Sequence, residues 1–462
     1  MPRALVVAYP WLPLFNGGVK YVATLSRFLP AAGWEPLILT RDWGETPTPD
    51  DVELGLTSQP IDATPSLKNA ATLPTVRASY VERDNRWLRW HARFTAERDA
   101  HAPLSAHAIG RQGLTAVYPL YGHYPDTHRG WEESAVRAGM LAVRQYGISA
   151  VLSVCPTATA HIVGGEIARQ AGIPWVVLFT DLASFYTGPG DGRSWYARQL
   201  HGALARRWLK GAARSACATP RMVDYVRNNY GIEGEVVVMP FDPDERKVAP
   251  HRQVGAPLRV VHTGAIRPDN SQPRLLFDAL DLCLATNAAA ATSIIVELVG
   301  SGCDAELLSQ LDGRPCAPMV RVTPMVVPTE AVRMQRDSDV LLLLTPTAPA
   351  AVEGFGGQRG LGSLFEYLNA SRPVVAVGGG AGDDVRRLLA ETRVGDVADD
   401  AETLAAMLTR YSEEITATGS IAFAPDEAAI ARYGAPEQAR RLGALLDGAS
   451  AERFGSWQRA RR

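Results

Sequence analysis

Lysine is nearly absent from this 462-residue chain: Lys20, Lys68, Lys210 and Lys247 are the only four among 47 basic residues, and arginine supplies the rest. Such a skew reflects coding bias more often than arginine chemistry, so it carries no functional weight. Charge of one sign is missing too, and a formal net charge of −2 removes the case for nucleic-acid binding or broad membrane affinity. The five cysteines (Cys155, Cys217, Cys283, Cys303 and Cys316) are scattered, odd in number and without a C-x-x-C pair. That excludes a disulfide framework and a zinc site, and fits small buried side chains in a reducing compartment. No apolar run reaches the roughly 18 residues of a membrane span, and the opening stretch 4–8 is too short for a signal-peptide core. A cytoplasmic protein is expected. Also lacking are a complete G-x-G-x-x-G, an Asp-x-Asp pair suited to a metal–diphosphate site, clustered metal ligands and a G-x-S-x-G elbow. These absences argue against a nicotinamide enzyme, a metal–diphosphate site and a serine hydrolase, and no metal or cofactor is expected.

What is present is a long series of short apolar runs alternating with helical patterns. The first set covers 5–8, 37–40, 150–154, 175–179, 217–218 and 236–239; the second covers 260–263, 294–300, 320–322, 340–344, 374–377 and 394–397. Runs that are continuously apolar suit parallel strands covered by helices on both faces. Helices are expected at 19–30, 131–145, 158–171, 272–285, 330–336 and 363–370, with Gly33, Gly147 and Gly172 as C-terminal caps. The proline-rich, aperiodic stretch 240–257 separates the sets. The chain is therefore read as α/β, two doubly wound Rossmann-like domains facing a cleft. The expected boundaries are an N-terminal domain over 1–242, a linker over 243–257 and a C-terminal domain over 258–435. A final helix over 436–462 could pack back on the N-terminal domain. Residues 44–126 fit the pattern poorly and read equally as an acceptor-binding insertion or an irregular excursion.

Several motifs carry chemistry at the strand ends where such folds bind ligands. Gly17-Gly18 opens a helix after the first strand, where backbone N–H groups can meet a diphosphate; a tight structural turn is the stronger reading of a lone Gly-Gly. Glu353-Gly354-Phe355-Gly356-Gly357 follows a buried strand, and Gly362-Ser363-Leu364-Phe365-Glu366 enters the next helix. An ionised carboxylate at Glu366 can accept both hydroxyls of a ribose, or simply favour its own helix start. Asp181 ends the run 175–179 and could serve an acceptor hydroxyl, whereas a lone histidine such as His161 is more often structural. Arg206-Arg207-Trp208-Leu209-Lys210 and Arg86-Trp87-Leu88-Arg89-Trp90 could touch a lipid surface, but a solvated helix face is the better reading.

With those residues in view, the sequence resembles the group-four family of GT-B glycosyltransferases. The resemblance runs from the glycine loop at Gly17-Gly18 through Tyr124-Pro125-Asp126 with Gly130-Trp131, and through Cys155-Pro156-Thr157 to Asp181. It continues in His262-Thr263-Gly264, Val299-Gly300-Ser301-Gly302, Ala331 to Leu342, and Phe365-Glu366-Tyr367-Leu368 with Arg372-Pro373-Val374. It implies a nucleoside-diphosphate-sugar donor, ribose binding by Glu366, donor-sugar contact by Glu353 and Gly356, and a base lying beside Met325 and Val326. Thr263, Gly264, Ser363 and Leu364 would border the donor. Where the family usually places a lysine and an arginine on the diphosphate, this chain has Ser363 and Asn270 or Ser271; Arg267, Arg274 or Arg359 could supply the charge.

The function expected is transfer of a sugar to the hydroxyl of a small-molecule, glycan or lipid-linked acceptor, with retention, Asp181 and His161 standing on the acceptor side. A non-catalytic partner subunit and a nucleotide-sugar epimerase of the same fold remain the alternatives.

Overall fold

The computed structural model describes residues 1–12, 16–43, 69–81, 126–155, 157–182, 185–186, 195–246, 252–266, 273–345, 361–378 and 383–460. Among them, two parallel sheets account for the apolar runs. The first contains β1 (Arg3–Ala8), β2 (Glu35–Arg41), β3 (Thr75–Ala78), β4 (Ile148–Val154), β5 (Trp175–Phe179), β6 (Arg214–Cys217) and β7 (Gly234–Val236). The second contains β8 (Leu258–Thr263), β9 (Ile294–Val299), β10 (Val320–Thr323), β11 (Val340–Leu344), β12 (Val374–Val377) and β13 (Gly395–Ala398). Their strand orders are β3-β2-β1-β4-β5-β6-β7 and β10-β9-β8-β11-β12-β13. In each, the winding reverses beside the first strand: β1 pairs with β2 and β4, and β8 with β9 and β11.

The burial pattern explains the composition of the strands. Every residue of β5, β11 and β12 is buried, because helices cover both faces of the sheet. Helices end where glycine can take a left-handed conformation: Gly147 follows Glu132–Tyr146 and Gly172 follows Ala158–Ala171, with φ of 65° and 69°.

Three features differ from the reading of the sequence or add to it. Within the poorly patterned 44–126, Thr75–Ala78 forms an edge strand on β2. It shows no apolar run because three of its four residues are not buried. The run 236–239 holds only the end of β7; beyond it, Val238 and Phe241 join a core shared with Phe365, Leu368 and Ile430 of the C-terminal half. Thirdly, the helix Ala435–Ala460 places Leu442, Leu445, Leu446 and Ala449 in the core of the first sheet, and Trp34 Nε1 donates to Asp447 at 3.0 Å.

Stretch 206–210 closes the helix Trp195–Leu209; Arg206, Arg207 and Lys210 are exposed, Trp208 is half-buried and Leu209 is buried. Stretch 86–90 lies outside the described residues. No described helix is long and apolar enough to cross a membrane.

Beside that shared apolar core, specific polar contacts tie the halves together. Arg27, at the end of the helix Gly17–Phe28, pairs with Asp242 and Asp244. Asn369 Nδ2 donates to the Asp242 carbonyl at 3.1 Å, and Arg336 donates to the Glu245 carbonyl at 2.6 Å. The segment after β7 is thus held from both sides, which fixes the carboxyl ends of the two sheets across one opening.

Candidate functional site

The two winding reversals meet at a cavity of about 540 Å³. A doubly wound sheet leaves a crevice where neighbouring loops depart in opposite directions. Among the described residues the segments after β1, β8, β9 and β10, with the helix Leu361–Tyr367, line this one. Asn16, Gly17 and Lys20 line it from the N-terminal half; Thr263, Gly264, Met325, Val326, Gln335, Ser363 and Glu366 line it from the C-terminal half.

Each wall has an identifiable support. Asn16 Oδ1 accepts from Val19 N at 2.9 Å, capping the helix Gly17–Phe28. That satisfies one of the N–H groups a helix start leaves without an intrahelical partner. Opposite, the Thr263 N–H donates to Tyr367 Oη at 3.0 Å, and Gln335 Nε2 donates to Thr263 Oγ1 at 2.8 Å. Both partners are buried, and burial pushes the Tyr367 phenol up to about 12, so it stays a neutral hydroxyl. Gly264 follows with φ of 127°, a conformation that side chains disfavour. His262, just before, sets Nδ1 3.0 Å from the Leu342 carbonyl and Nε2 3.2 Å from that of Gly264. Burial holds its pKa below the usual histidine value despite those two acceptors.

Across the cavity mouth, Lys20 Nζ donates to Glu366 Oε1 at 2.8 Å, joining residues 346 apart in sequence. Burial would lower the ammonium pKa; Glu366, with Glu245 and Asp242 farther off, more than offsets it and raises the pKa. Lys20 was not among the candidates. A single lysine within an amphipathic helix carries no sequence signal, and its partner lies in the other domain.

The structure therefore gathers Gly17, Thr263, Gly264, Met325, Val326, Ser363 and Glu366 around one cavity. Leu364 has its side chain in the core behind the wall, and Gly18 sits one residue inside the helix start. Arg267, Glu353, Gly356 and Arg359 lie outside the described residues.

Asp181 and His161 do not line this cavity. Asp181 lies just beyond β5, half-buried; its charge and that of Asp126 add to burial in raising the Cys155 thiol pKa. His161 is fully buried in the helix Ala158–Ala171. Its Nδ1 lies 2.6 Å from Ser153 Oγ, which also accepts from Trp175 Nε1 at 2.8 Å. Phe179 and Phe185 pack against the ring at 4.8 and 5.4 Å between centroids, and burial drives its pKa down to about 3. An imidazole that is neutral, dry and bonded to a core serine is a packing residue first.

Asp126, from the Pro-Asp pattern, accepts at Oδ1 from His128 N at 3.0 Å and Thr159 Oγ1 at 2.5 Å. Its Oδ2 accepts from Thr159 N at 2.9 Å. It clamps the start of the helix Ala158–Ala171 to the turn Thr127–Trp131.

No family model matches this chain, and no curated protein matches it. Solved structures do. Anabaena HepE in complex with UDP and glucose aligns with a TM-score of 0.53 at 14% identity, over 97% of this chain and 100% of that one. Sucrose-phosphate synthase from Thermosynechococcus elongatus gives 0.51 at 14% identity, covering 99% and 98%. The apo form of the lipopolysaccharide outer core galactosyltransferase WaaB gives 0.50 at 13%, covering 96% and 99%. At such identities the likeness is one of architecture, and with two doubly wound parallel sheets opening on a shared cleft, this chain has the GT-B fold.

Proposed function

We propose that the protein is a glycosyltransferase, moving a hexose-like unit from a nucleoside-diphosphate sugar to an acceptor hydroxyl with retention, in cell-surface glycan or natural-product assembly in the cytoplasm. The observation that carries this reading is the cavity between the sheets, with a partly exposed carboxylate, Glu366, on one wall and a capped helix start at Asn16–Gly17 on the other. Its volume of about 540 Å³ suits a small-molecule ligand. The Anabaena structures of the same fold hold UDP, or UDP-glucose, which supports a nucleotide-sugar donor here.

In this reading Glu366 accepts the ribose hydroxyls, and the base lies by Met325 and Val326. The diphosphate approaches Gly17 and the Ser363 hydroxyl. Charge that develops on the departing diphosphate is stabilised by backbone N–H groups and by arginine side chains brought to it, Arg267 or Arg359. Arg267, Arg359 and Glu353 belong to the same proposal, as do Gly18, Leu364 and Gly356 beside the donor. Asp181 stands on the acceptor side, and His161 supports that wall from within. Closure of the halves excludes water that would hydrolyse the donor.

The test is a thermal-shift screen with uridine, guanosine and thymidine diphosphates, followed by donor-consumption assays over acceptor panels. At least one diphosphate should raise Tm, because a ligand bound only by the native state stabilises it. A sugar product should then form with an acceptor present. Binding without turnover over broad panels would favour a non-catalytic partner subunit. A new donor isomer formed without acceptor would favour an epimerase.

A further inference from the structure

Among the described residues lining the cleft cavity, the charged side chains are Lys20 and Glu366, and they are paired to each other. The pair sits in register with the cavity walls. Lys20 lies one helical turn beyond Gly17, and Glu366 lies one turn beyond Ser363. Residues three apart on a helix share a face, so Gly17 and Lys20 look across at Ser363 and Glu366. A ligand that engages Glu366 through neutral hydroxyls must take the place of the Lys20 ammonium.

That displacement cannot leave Lys20 idle. Its side chain is only 13% exposed, against 30% for Glu366. A charge withdrawn from water to that degree is costly unless an opposite charge accompanies it. Asp242 and Glu245 contribute to the field around Lys20, but Asp242 is already paired with Arg27. A ligand that brings its own anion to the Gly17–Ser363 side of the cavity offers the freed ammonium a partner within reach of its flexible four-carbon stem.

We propose that Lys20 changes partner on donor binding, leaving Glu366 for the diphosphate, so that ribose recognition and phosphate recognition are coupled through one side chain. The inference rests on the reading of the cleft as a nucleotide-sugar site and assigns Lys20 within it. The Lys20–Glu366 ion pair is then a storage contact. A bare nucleoside must break it without compensation, and a nucleoside diphosphate replaces it.

The coupling is read from a ratio. Isothermal titration of full-length protein would compare the best-binding of UDP, GDP and TDP with its own nucleoside, in wild type, Lys20→Met and Lys20→Arg. In Lys20→Met the nucleoside should bind as well as in wild type or better, since Glu366 is freed. The preference for diphosphate over nucleoside should fall roughly 10- to 100-fold, the scale of a lost charge-assisted hydrogen bond. Lys20→Arg should keep most of that preference. An unchanged ratio in Lys20→Met, or equal weakening of nucleoside and diphosphate, would overturn the exchange while leaving the nucleotide site intact. Wild-type protein that binds none of the three diphosphates would sink both.

Discussion

The two sheets share sense and winding, yet their carboxyl ends are finished in opposite ways. Beyond β1 and β2 the space is filled with rings: Tyr9 packs on His128, Trp43 and Trp131 with centroids 4.3, 5.4 and 5.4 Å apart. Arg41 threads among them, donating to Tyr9 Oη at 2.7 Å with its guanidinium over Trp43 and Tyr80. Beyond β8 and β9 the chain turns at once through Gly264 and Gly300, both at positive φ, and leaves the cavity open. Topology sets where a crevice falls; the side chains placed there decide whether it becomes core or site. Among the described residues the N-terminal half packs the ends of β1 and β2 and reaches the cavity through Asn16, Gly17 and Lys20, while the C-terminal half supplies most of the open wall.

That contrast can be broken most forcefully at Trp131, which is fully buried. Trp131→Ala removes a large ring from the N-terminal packing and should cost about 3–5 kcal/mol in chemical denaturation. At temperatures where the variant is folded, its diphosphate affinity should match wild type. On the opposite wall, Glu366→Ala should act on binding as well as on stability. Loss of a charged acceptor weakens nucleotide binding by about 1.5–3 kcal/mol, enough to erase the thermal shift. Unliganded stability falls too, because Lys20 keeps a largely buried charge without its partner. Unchanged nucleotide binding in that variant would remove Glu366 from the site.

How much of this was legible follows the same divide. Continuous apolar runs announced most strands, because burial on both faces leaves little choice of residue; β11, Val-Leu-Leu-Leu-Leu, is the plainest instance. β3 escaped since an edge strand of four residues, mostly unburied, needs no such run. Residues converging on the cavity through local pattern, such as Ser363 with Glu366, were visible in the sequence. Lys20 was not, because its meaning arises from a contact between domains that no local window contains. His161 illustrates the converse. Its position in a motif drew attention, but burial among Phe179, Phe185 and Ser153 could be read only from packing.

The electrostatic state of His161 sharpens the comparison further. Its pKa falls from an ordinary 6.5 to about 3 through burial. Below the unfolded value the unfolded chain binds a proton that the folded chain refuses, so stability is lost as pH falls through that window and regained as it rises. Between roughly pH 8 and 5 this one group should remove about 2 kcal/mol. His161→Gln deletes that titration. Its unfolding free energy, measured against wild type across the same range, should be flatter by about that amount. Equal slopes would mean that the imidazole is hydrated, and that the N-terminal wall is wetter than its packing implies.

The smallest expected effect tests whether the Pro-Asp pattern belongs to the site or to the scaffold. Asp126 uses both carboxylate oxygens to hold His128 and Thr159, and it does not line the cavity. In Asp126→Asn one oxygen becomes an amide donor and must face an N–H or a hydroxyl that formerly had an acceptor. One orphaned contact and the loss of a charge at a helix start should cost about 1–2 kcal/mol, seen as a lower Tm. Diphosphate affinity at a fixed temperature below both transitions should not move. Should affinity fall while Tm holds, the clamp between the turn and the helix Ala158–Ala171 would be setting the donor wall. The division between a packed N-terminal edge and an open C-terminal one would then give way to a single cooperative cleft.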